Sequence, residues 1–179
     1  MQTTIKISKT TALTITETDA GATASLTWHG AEVWSKDYAD HDLQEAAYFA
    51  SEDTETEIAT LRKADALIKR FRKDLAKCGN GAFGSFDFEV AAFKMRDRRE
   101  HSLRKLFSGV WGNWAAESKA YDLLTAEIRA AVVCFEAERD AARKAEIASI
   151  RADYDARIAH LSALEIGYLR EIGTLGRRP

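Results

Sequence analysis

The stretch "TALTITETDAGATASLTWHGAEVW", residues 11–34, carries the strongest β-strand pattern of the chain. Leu13 and Ile15 alternate with threonines, and further on Leu26 and Trp28 alternate with serine and threonine. Alternation with a period of two puts the apolar side chains on one face of a strand and the hydroxyls on the other. The pattern therefore predicts two strands of an antiparallel sheet with one buried face.

Turn residues follow each of these two strands and predict a β-meander. Residues 19–22, "DAGA", separate the two strands, and the pair His29 and Gly30 turns the chain again into a short strand around Val33. Ile5 and Ile7 also alternate with polar residues and predict an additional edge strand. Because an isolated hairpin is only marginally stable in water, a helix must cover the apolar face of this sheet.

Helical patterns begin at about residue 42. The segment "DLQEAAYFA" predicts a short helix, and Thr54 with Glu57 three residues later forms a capping-box pattern for the next helix. Apolar residues then recur at spacings of three and four, with lysine and arginine on the opposite side, until Gly79 ends the helix. The apolar positions are Leu61, Ala64, Ile68, Phe71, Leu75 and Cys78.

Residues 78–95, "CGNGAFGSFDFEVAAFKM", contain the glycine pattern G-x-G-x-x-G of nucleotide-binding loops. Such a loop follows a β-strand, whereas the residues before this one have a helical pattern. Lys94 follows Gly84 too closely for a protein kinase, and neither a kinase catalytic loop nor a D-F-G motif comes after it. We therefore interpret the segment as a connection between two helices. Its phenylalanines, which we expect in the core, are Phe83, Phe86, Phe88 and Phe93.

The second half of the chain is predicted to be helical. A helix runs from about Phe88 to Phe107, and the glycines of "SGVWGNW" then interrupt it. We expect Trp111 and Trp114 in this segment to anchor it to the core. Residues 114–166 contain neither proline nor glycine.

A continuous helix of about 50 residues would measure roughly 75 Å. This length leaves two alternatives, either a helical hairpin or a distal half that meets a second copy of the chain as a coiled coil. The apolar stripe of the distal half is formed by Ile147, Ile150, Tyr154, Ile158, Leu161, Tyr168 and Ile172.

Together these patterns predict an α+β fold that is mainly helical. An N-terminal antiparallel β-meander is followed by a helical bundle with a long C-terminal helix or helical hairpin. We expect residues 1–112 to form the core domain. We expect residues 113–179 to form a long helical region that serves packing or dimerisation.

Size and composition predict a folded protein, which we expect in the cytoplasm. The chain has 179 residues, of which 46% are hydrophobic and 30% charged. Its start has no apolar signal core, and its longest apolar run, six residues from Ala130, is too short to span a bilayer. The two cysteines, Cys78 and Cys134, are isolated, so we expect reduced thiols rather than a disulfide framework.

The overall charge of −2 conceals a charge polarity along the chain. Residues 1–60 hold 3 Lys and Arg against 11 Asp and Glu, whereas residues 61–107 hold 13 against 6. The remaining residues hold 10 against 11 and are nearly neutral. A basic middle beside an acidic front either neutralises itself internally or presents two faces to different partners.

The basic middle supplies the first set of candidate partner-binding residues. If the helices before and after the glycine segment lie side by side, their cations form one positive face suited to phosphate groups. Exposed aromatic residues near the glycines would add stacking with bases. The candidates are Lys69, Arg70, Lys73, Lys77, Arg96, Arg98, Arg99 and Arg104.

The acidic front supplies the second set of candidates. Its carboxylates either pair with the basic middle or occupy the nucleic-acid groove of a protein partner. The candidates are Asp37, Asp40, Asp42, Glu52, Asp53 and Glu55.

The sequence also contains two short motifs that resemble those of enzymes. His41 and Asp42 match the dipeptide of metal-dependent HD-type phosphohydrolases, although His29 upstream belongs to the predicted β region. Glu52 and Glu55 match the E-x-x-E of magnesium-dependent NTP pyrophosphohydrolases, but the second acidic pair that those enzymes need is missing. We expect neither a metal nor a cofactor, and we recognise no family.

The leading hypothesis is a non-enzymatic binding protein that acts by surface contact with a protein partner or a protein–nucleic acid complex. One concrete version is a phage or mobile-element inhibitor of a host defence or nucleic-acid-handling complex, comparable to anti-CRISPR proteins. Direct nucleic-acid binding through the basic middle and an HD-like phosphohydrolase are the alternatives. We further expect a homodimer and no membrane partner.

Overall fold

The computed structural model of the chain describes residues 1–79, 82, 84–108 and 114–175, with side chains up to residue 173. Within these residues four strands precede four helices, which confirms the predicted α+β class. The strands are β1 (Gln2–Lys6), β2 (Thr11–Thr18), β3 (Gly21–Trp28) and β4 (Ala31–Ala39). The helices are α1 (Leu43–Asp53), α2 (Glu55–Cys78), α3 (Ser85–Phe107) and α4 (Trp114–Leu175).

The four strands form one antiparallel sheet in the order β1-β2-β3-β4. Leu13 lies opposite Leu26, and Ile15 lies opposite Ala24, so the apolar side chains of β2 and β3 share the buried face as predicted. The predicted edge strand is present as β1, which pairs with β2 and contains Ile5, whereas Ile7 lies beyond its end. β4 is longer than the predicted short strand around Val33, because its register with β3 extends to Ala39 opposite Gly21.

One tight turn and one close approach between strands constrain the sheet. His29 and Gly30 both have positive φ angles, 48° and 77°, as a two-residue type I′ hairpin requires. Gly21 has a φ of 133°, and a Cβ atom built there would lie 2.2 Å from the carbonyl oxygen of Tyr38. Only glycine fits this close approach of β3 to β4.

Helices cover the buried face of the sheet. Ala46 and Ala50 are the buried residues of α1, which packs against β2 and β3. At the end of α3, the Phe107 ring lies 6.3 Å from the fully buried Trp28 ring of β3. The predicted apolar stripe of α2 is confirmed except at its last residue, Cys78, which is only half-buried.

The N-terminal cap of α2 differs from the prediction, whereas α1 has a regular cap. Asp42 caps α1, because its side chain accepts from two backbone N–H groups of the first turn. Thr54 makes no such bond at the start of α2, so the predicted capping box is wrong. The Thr54 side chain is fully buried and donates to the Ala50 carbonyl oxygen instead, at 2.6 Å.

α3 begins at Ser85, three residues before the predicted start, so Phe86 also belongs to the helix. Phe88 is buried as expected, whereas Phe86 is 74% exposed because it lies on another side of the helix. Phe83 and Trp111 lie outside the described residues. Trp114 is 83% exposed, so the prediction that it anchors the chain to the core is wrong.

Every residue from Trp114 to Leu175 is helical, so the long helix is confirmed and the hairpin alternative is wrong. The chain divides into two compact units, Met1–Val133 and Cys134–Pro179. The sheet, α1, α2, α3 and the first part of α4 belong to the first unit. The predicted division after residue 112 stays a prediction.

Within the described part of the chain, no helix combines the length and the apolar character that a bilayer span requires.

Candidate functional site

A cleft of about 580 Å³ lies between α2 and α3, both within the first unit. The residues from each helix recur at spacings of three and four, so each helix contributes one face. α2 contributes Asp74, Lys77 and Cys78, and α3 contributes Met95, Arg98, Arg99 and Ser102.

One ion pair lies inside this cleft. The guanidinium Nη2 of Arg99 donates to Oδ2 of Asp74 at 2.7 Å, which ties α3 to α2. Lys77 and Arg98 are exposed, and no described carboxylate lies within salt-bridge distance of either. The cleft therefore holds three cations against one carboxylate, with two of the cations open to a ligand.

Three more of the predicted cations lie on α2, in the turns before Lys77. Lys69, Arg70 and Lys73 are all exposed. Arg70, Lys73 and Lys77 follow one another at spacings of three and four, and this spacing puts them on one side of the helix. Lys69 precedes Lys73 by four residues and lies next to it on the same helix surface.

Exposed lysines also lie on the side of α3 that faces the cleft. Lys94 and Lys105, which are exposed, stand four residues before and seven residues after Arg98. We call the three cations of the cleft, together with the exposed cations next to them on the same side of each helix, the basic face. Its members are Lys69, Arg70, Lys73, Lys77, Lys94, Arg98, Arg99 and Lys105.

Two of the predicted basic residues contact α4 instead. The Arg96 guanidinium lies 4.8 Å from the centre of the Phe93 ring and 4.7 Å from that of Tyr121. Arg104 binds the carboxylates of Glu100 and Glu117, at 2.7 and 3.1 Å. The expected single face of all eight candidates is therefore not formed, because these two side chains point to another side of α3.

Cys78 is a cleft residue that the sequence pattern assigned to the core. Burial, together with the neighbouring Asp74 carboxylate, raises the pKa of the Cys78 thiol. A raised pKa keeps the thiol protonated at neutral pH, so Cys78 is a poor nucleophile. Asp74, Met95 and Ser102 were not predicted as site residues; their spacing relative to Lys77, Arg98 and Arg99 is the signal that identifies them.

Most of the acidic candidates have partners within the fold. Asp37 accepts a hydrogen bond from the Thr23 hydroxyl at 2.6 Å, and Glu52 accepts one from the Tyr48 hydroxyl at 2.7 Å. Asp42 caps α1. Asp40, whose φ of 61° is left-handed, and Glu55 in the first turn of α2 are exposed.

Asp53 joins α1 to the end of the sheet. Its Oδ2 accepts from the Lys36 ammonium and the Tyr38 hydroxyl, both at 2.6 Å. The Lys36 bond, followed by that of Tyr38, lowers the pKa of the Asp53 carboxyl. Burial raises the pKa of Tyr38, and the adjacent Asp53 raises it further. None of the acidic candidates lines the cleft.

The histidines of the HD-like pattern lie in two different networks. His41 Nδ1 lies 2.7 Å from the Ala39 carbonyl oxygen, and its ring makes an edge contact with Phe49. His29 Nε2 lies 2.9 Å from Oδ1 of Asp65. Among the described residues, no three His, Cys, Asp or Glu side chains converge as metal ligands would.

Asp65 of α2 is the polar junction between the helices and the sheet. Its carboxylate accepts from the Trp28 indole at 3.0 Å and from the Thr10 hydroxyl at 2.7 Å, besides contacting His29. The sequence pattern did not identify this residue, because it follows the buried Ala64 and resembles one more charge on the outer side of α2. The tryptophan at the end of β3 requires such an acceptor when its ring is buried.

Comparison of the chain with known protein families, with curated proteins and with solved structures finds no match.

Proposed function

We propose that the protein is a non-enzymatic binding protein whose basic face contacts the phosphate groups of a nucleic acid. One observation carries the proposal: Lys77, Arg98 and Arg99 meet in a single cleft, in line with further exposed cations on both helices. Arginine offers forked hydrogen-bond donors to phosphate oxygens, and lysine offers point charges.

Internal neutralisation is the main competing explanation of the basic middle. The structure supports the binding proposal because Asp37, Asp42, Glu52 and Asp53 bind groups of the sheet and α1. Of the cleft cations, only Arg99 has a described carboxylate partner. Contact with a protein–nucleic acid complex in the cytoplasm is the wider form of this proposal. An inhibitor of a defence complex and an HD-like hydrolase stay predictions.

Binding of a fluorescent oligonucleotide tests the proposal. Titration of single-stranded and duplex 20-mers with the full chain at low salt should raise the anisotropy of at least one of them. Arg98→Glu should weaken binding about tenfold, because it replaces a phosphate donor with a repelling charge.

The matched control is Arg129→Glu, which makes the same change of charge at an exposed residue of α4 that does not line the cleft. It should alter the affinity by less than about twofold. Equal losses in both variants, or no binding of either oligonucleotide at low salt, would contradict the proposal.

A further inference from the structure

The second unit exposes a row of large apolar side chains along α4. All described residues from 136 to 173 are exposed, among them Tyr154 at 60%, Leu161 at 63% and Tyr168 at 66%. A helix in water owes most of its stability to the packing of its apolar face rather than to helix propensity. An exposed apolar row of this kind is suited to packing against a partner.

The spacing of the row has a symmetry centre. Counted outward from Leu161, the apolar residues follow at three, four and four positions in both directions. From Ile150 to Ile172 the row covers 22 residues in six intervals, a mean spacing of about 3.7 residues. This is the spacing of an 11-residue repeat, which keeps the row on one side of a nearly straight helix. Towards the N-terminus the residues are Ile158, Tyr154 and Ile150, and towards the C-terminus they are Leu164, Tyr168 and Ile172.

A second copy in antiparallel orientation matches this symmetry. With a two-fold axis at Leu161, Tyr154 of one copy lies level with Tyr168 of the other, and Ile158 lies level with Leu164. Ile150 and Ile172 correspond in the same way. Each apolar residue of the row therefore meets an apolar residue of the second copy, as an isologous two-fold interface requires.

The charges beside the row favour the same orientation. Arg157, next to Ile158, becomes level with Glu165, which follows Leu164. In a parallel dimer in register, Arg157 and Glu165 would each lie level with a residue of their own charge, which is unfavourable.

We propose that residues 150–172 pack against the same residues of a second copy of this chain as an antiparallel helix pair, with the two-fold axis at Leu161. This inference does not depend on the basic face. A membrane surface fits less well, because residues 147–173 hold three arginines against four acidic residues and lack the basic side that anionic lipids attract.

Site-specific cross-linking tests the orientation. In the full chain with Cys78 and Cys134 changed to serine, the Tyr154→Cys and Tyr168→Cys variants are mixed and treated with a short bifunctional maleimide. The antiparallel dimer should give a 154–168 cross-link. Either variant alone should give almost none, because its two cysteines would lie about 21 Å apart along the axis.

Efficient cross-linking of Tyr154→Cys alone would overturn the proposal in favour of a parallel dimer, and the absence of any cross-link would overturn dimerisation. Circular dichroism verifies that the cysteine-free background is folded.

Charge reversal in the chain with its native cysteines provides a second test. Arg157→Glu alone and Glu165→Arg alone should each weaken dimerisation about tenfold in sedimentation equilibrium, because each places like charges level across the interface. The double variant should restore the affinity to within about twofold. A monomeric native chain at micromolar concentrations, or a double variant as weak as the single ones, would overturn the proposal.

Discussion

Asp74 of α2 and Arg99 of α3 form an ion pair in which Oδ2 and Nη2 lie 2.7 Å apart. Only 26% of the Asp74 side chain and 23% of the Arg99 side chain are exposed. The pair lies within the cleft that also holds Lys77 and Arg98. The ion pair therefore affects both stability and binding. It holds the two helices together, and it lowers the positive charge that the cleft offers to a ligand.

The Asp74→Asn variant separates these two consequences. Loss of the ion pair should reduce the free energy of unfolding by about 1 kcal/mol, since the pair is partly buried. Removal of the negative charge and release of Arg99 should at the same time raise the affinity for an oligonucleotide several-fold. Urea unfolding and fluorescence anisotropy measure both quantities on one protein sample. Asp122→Asn, at an exposed residue of α4, is the control, and an unchanged or lower affinity of Asp74→Asn would contradict this prediction.

The Asp65→Ala variant should be destabilised without a direct effect on the cleft. Removal of the carboxylate leaves the Trp28 indole and the Thr10 hydroxyl without their acceptor, at a cost of about 1–3 kcal/mol. Asp65 does not line the cleft, so the folded variant should bind an oligonucleotide with native affinity. Urea unfolding measures the stability. A loss no larger than that of Asp122→Ala would show that the Asp65 junction contributes little.

Tyr38 predicts a loss of stability at alkaline pH. Burial raises the pKa of Tyr38 in the folded state, whereas in the unfolded chain it titrates near 10. The contribution of Tyr38 to the free energy of unfolding is therefore fully present below pH 10. Above pH 10 it is lost progressively, by up to about 1.4 kcal/mol per pH unit. Tyr38→Phe should be less stable at pH 8, because it lacks the hydrogen bond to Asp53, and should show a flatter decline between pH 10 and 11. Parallel declines of the two proteins in urea unfolding would refute this assignment.

Two glycines of the sheet should respond differently to alanine. Gly21→Ala should cost more than about 3 kcal/mol, because the new Cβ would lie 2.2 Å from the Tyr38 carbonyl oxygen at a φ that alanine rarely adopts. Gly30→Ala should cost only about 1 kcal/mol, since a Cβ meets no atom within 4 Å there and the positive φ alone is unfavourable. Thermal unfolding measures both variants. Similar midpoints would mean that β3 moves away from β4 to accommodate the methyl group.

Local patterns in the sequence predicted the order of strands and helices and two of the buried faces. The alternation around Leu13 and Leu26 predicts the buried face of the sheet, because side-chain direction in a strand depends only on position along it. The three- and four-residue spacing from Leu61 to Leu75 predicts the buried face of α2 for the corresponding reason. The same spacing predicts the exposed side of α2, which carries four of the eight predicted basic residues. These are Lys69, Arg70, Lys73 and Lys77.

The sequence pattern was insufficient wherever the outcome depended on a neighbouring helix. Arg96 and Arg104 resemble Arg98 in sequence, yet they contact α4, and their different angular positions around α3 matter only once α4 is in place. Thr54 has the sequence context of a cap, but its buried position next to Ala50 offers a carbonyl oxygen instead. Trp114 is exposed although large apolar residues usually mark the core.

The salt dependence of nucleic-acid binding tests the role of the basic face most directly. The logarithm of the affinity is measured against the logarithm of the salt concentration between 50 and 200 mM, for the native chain and for Lys77→Gln. Four or five phosphate contacts predict a slope of about −4 for a duplex, and loss of one contact should make the slope of the variant shallower by about 1. An affinity of the native chain that does not change with salt, or identical slopes for the two proteins, would contradict the account.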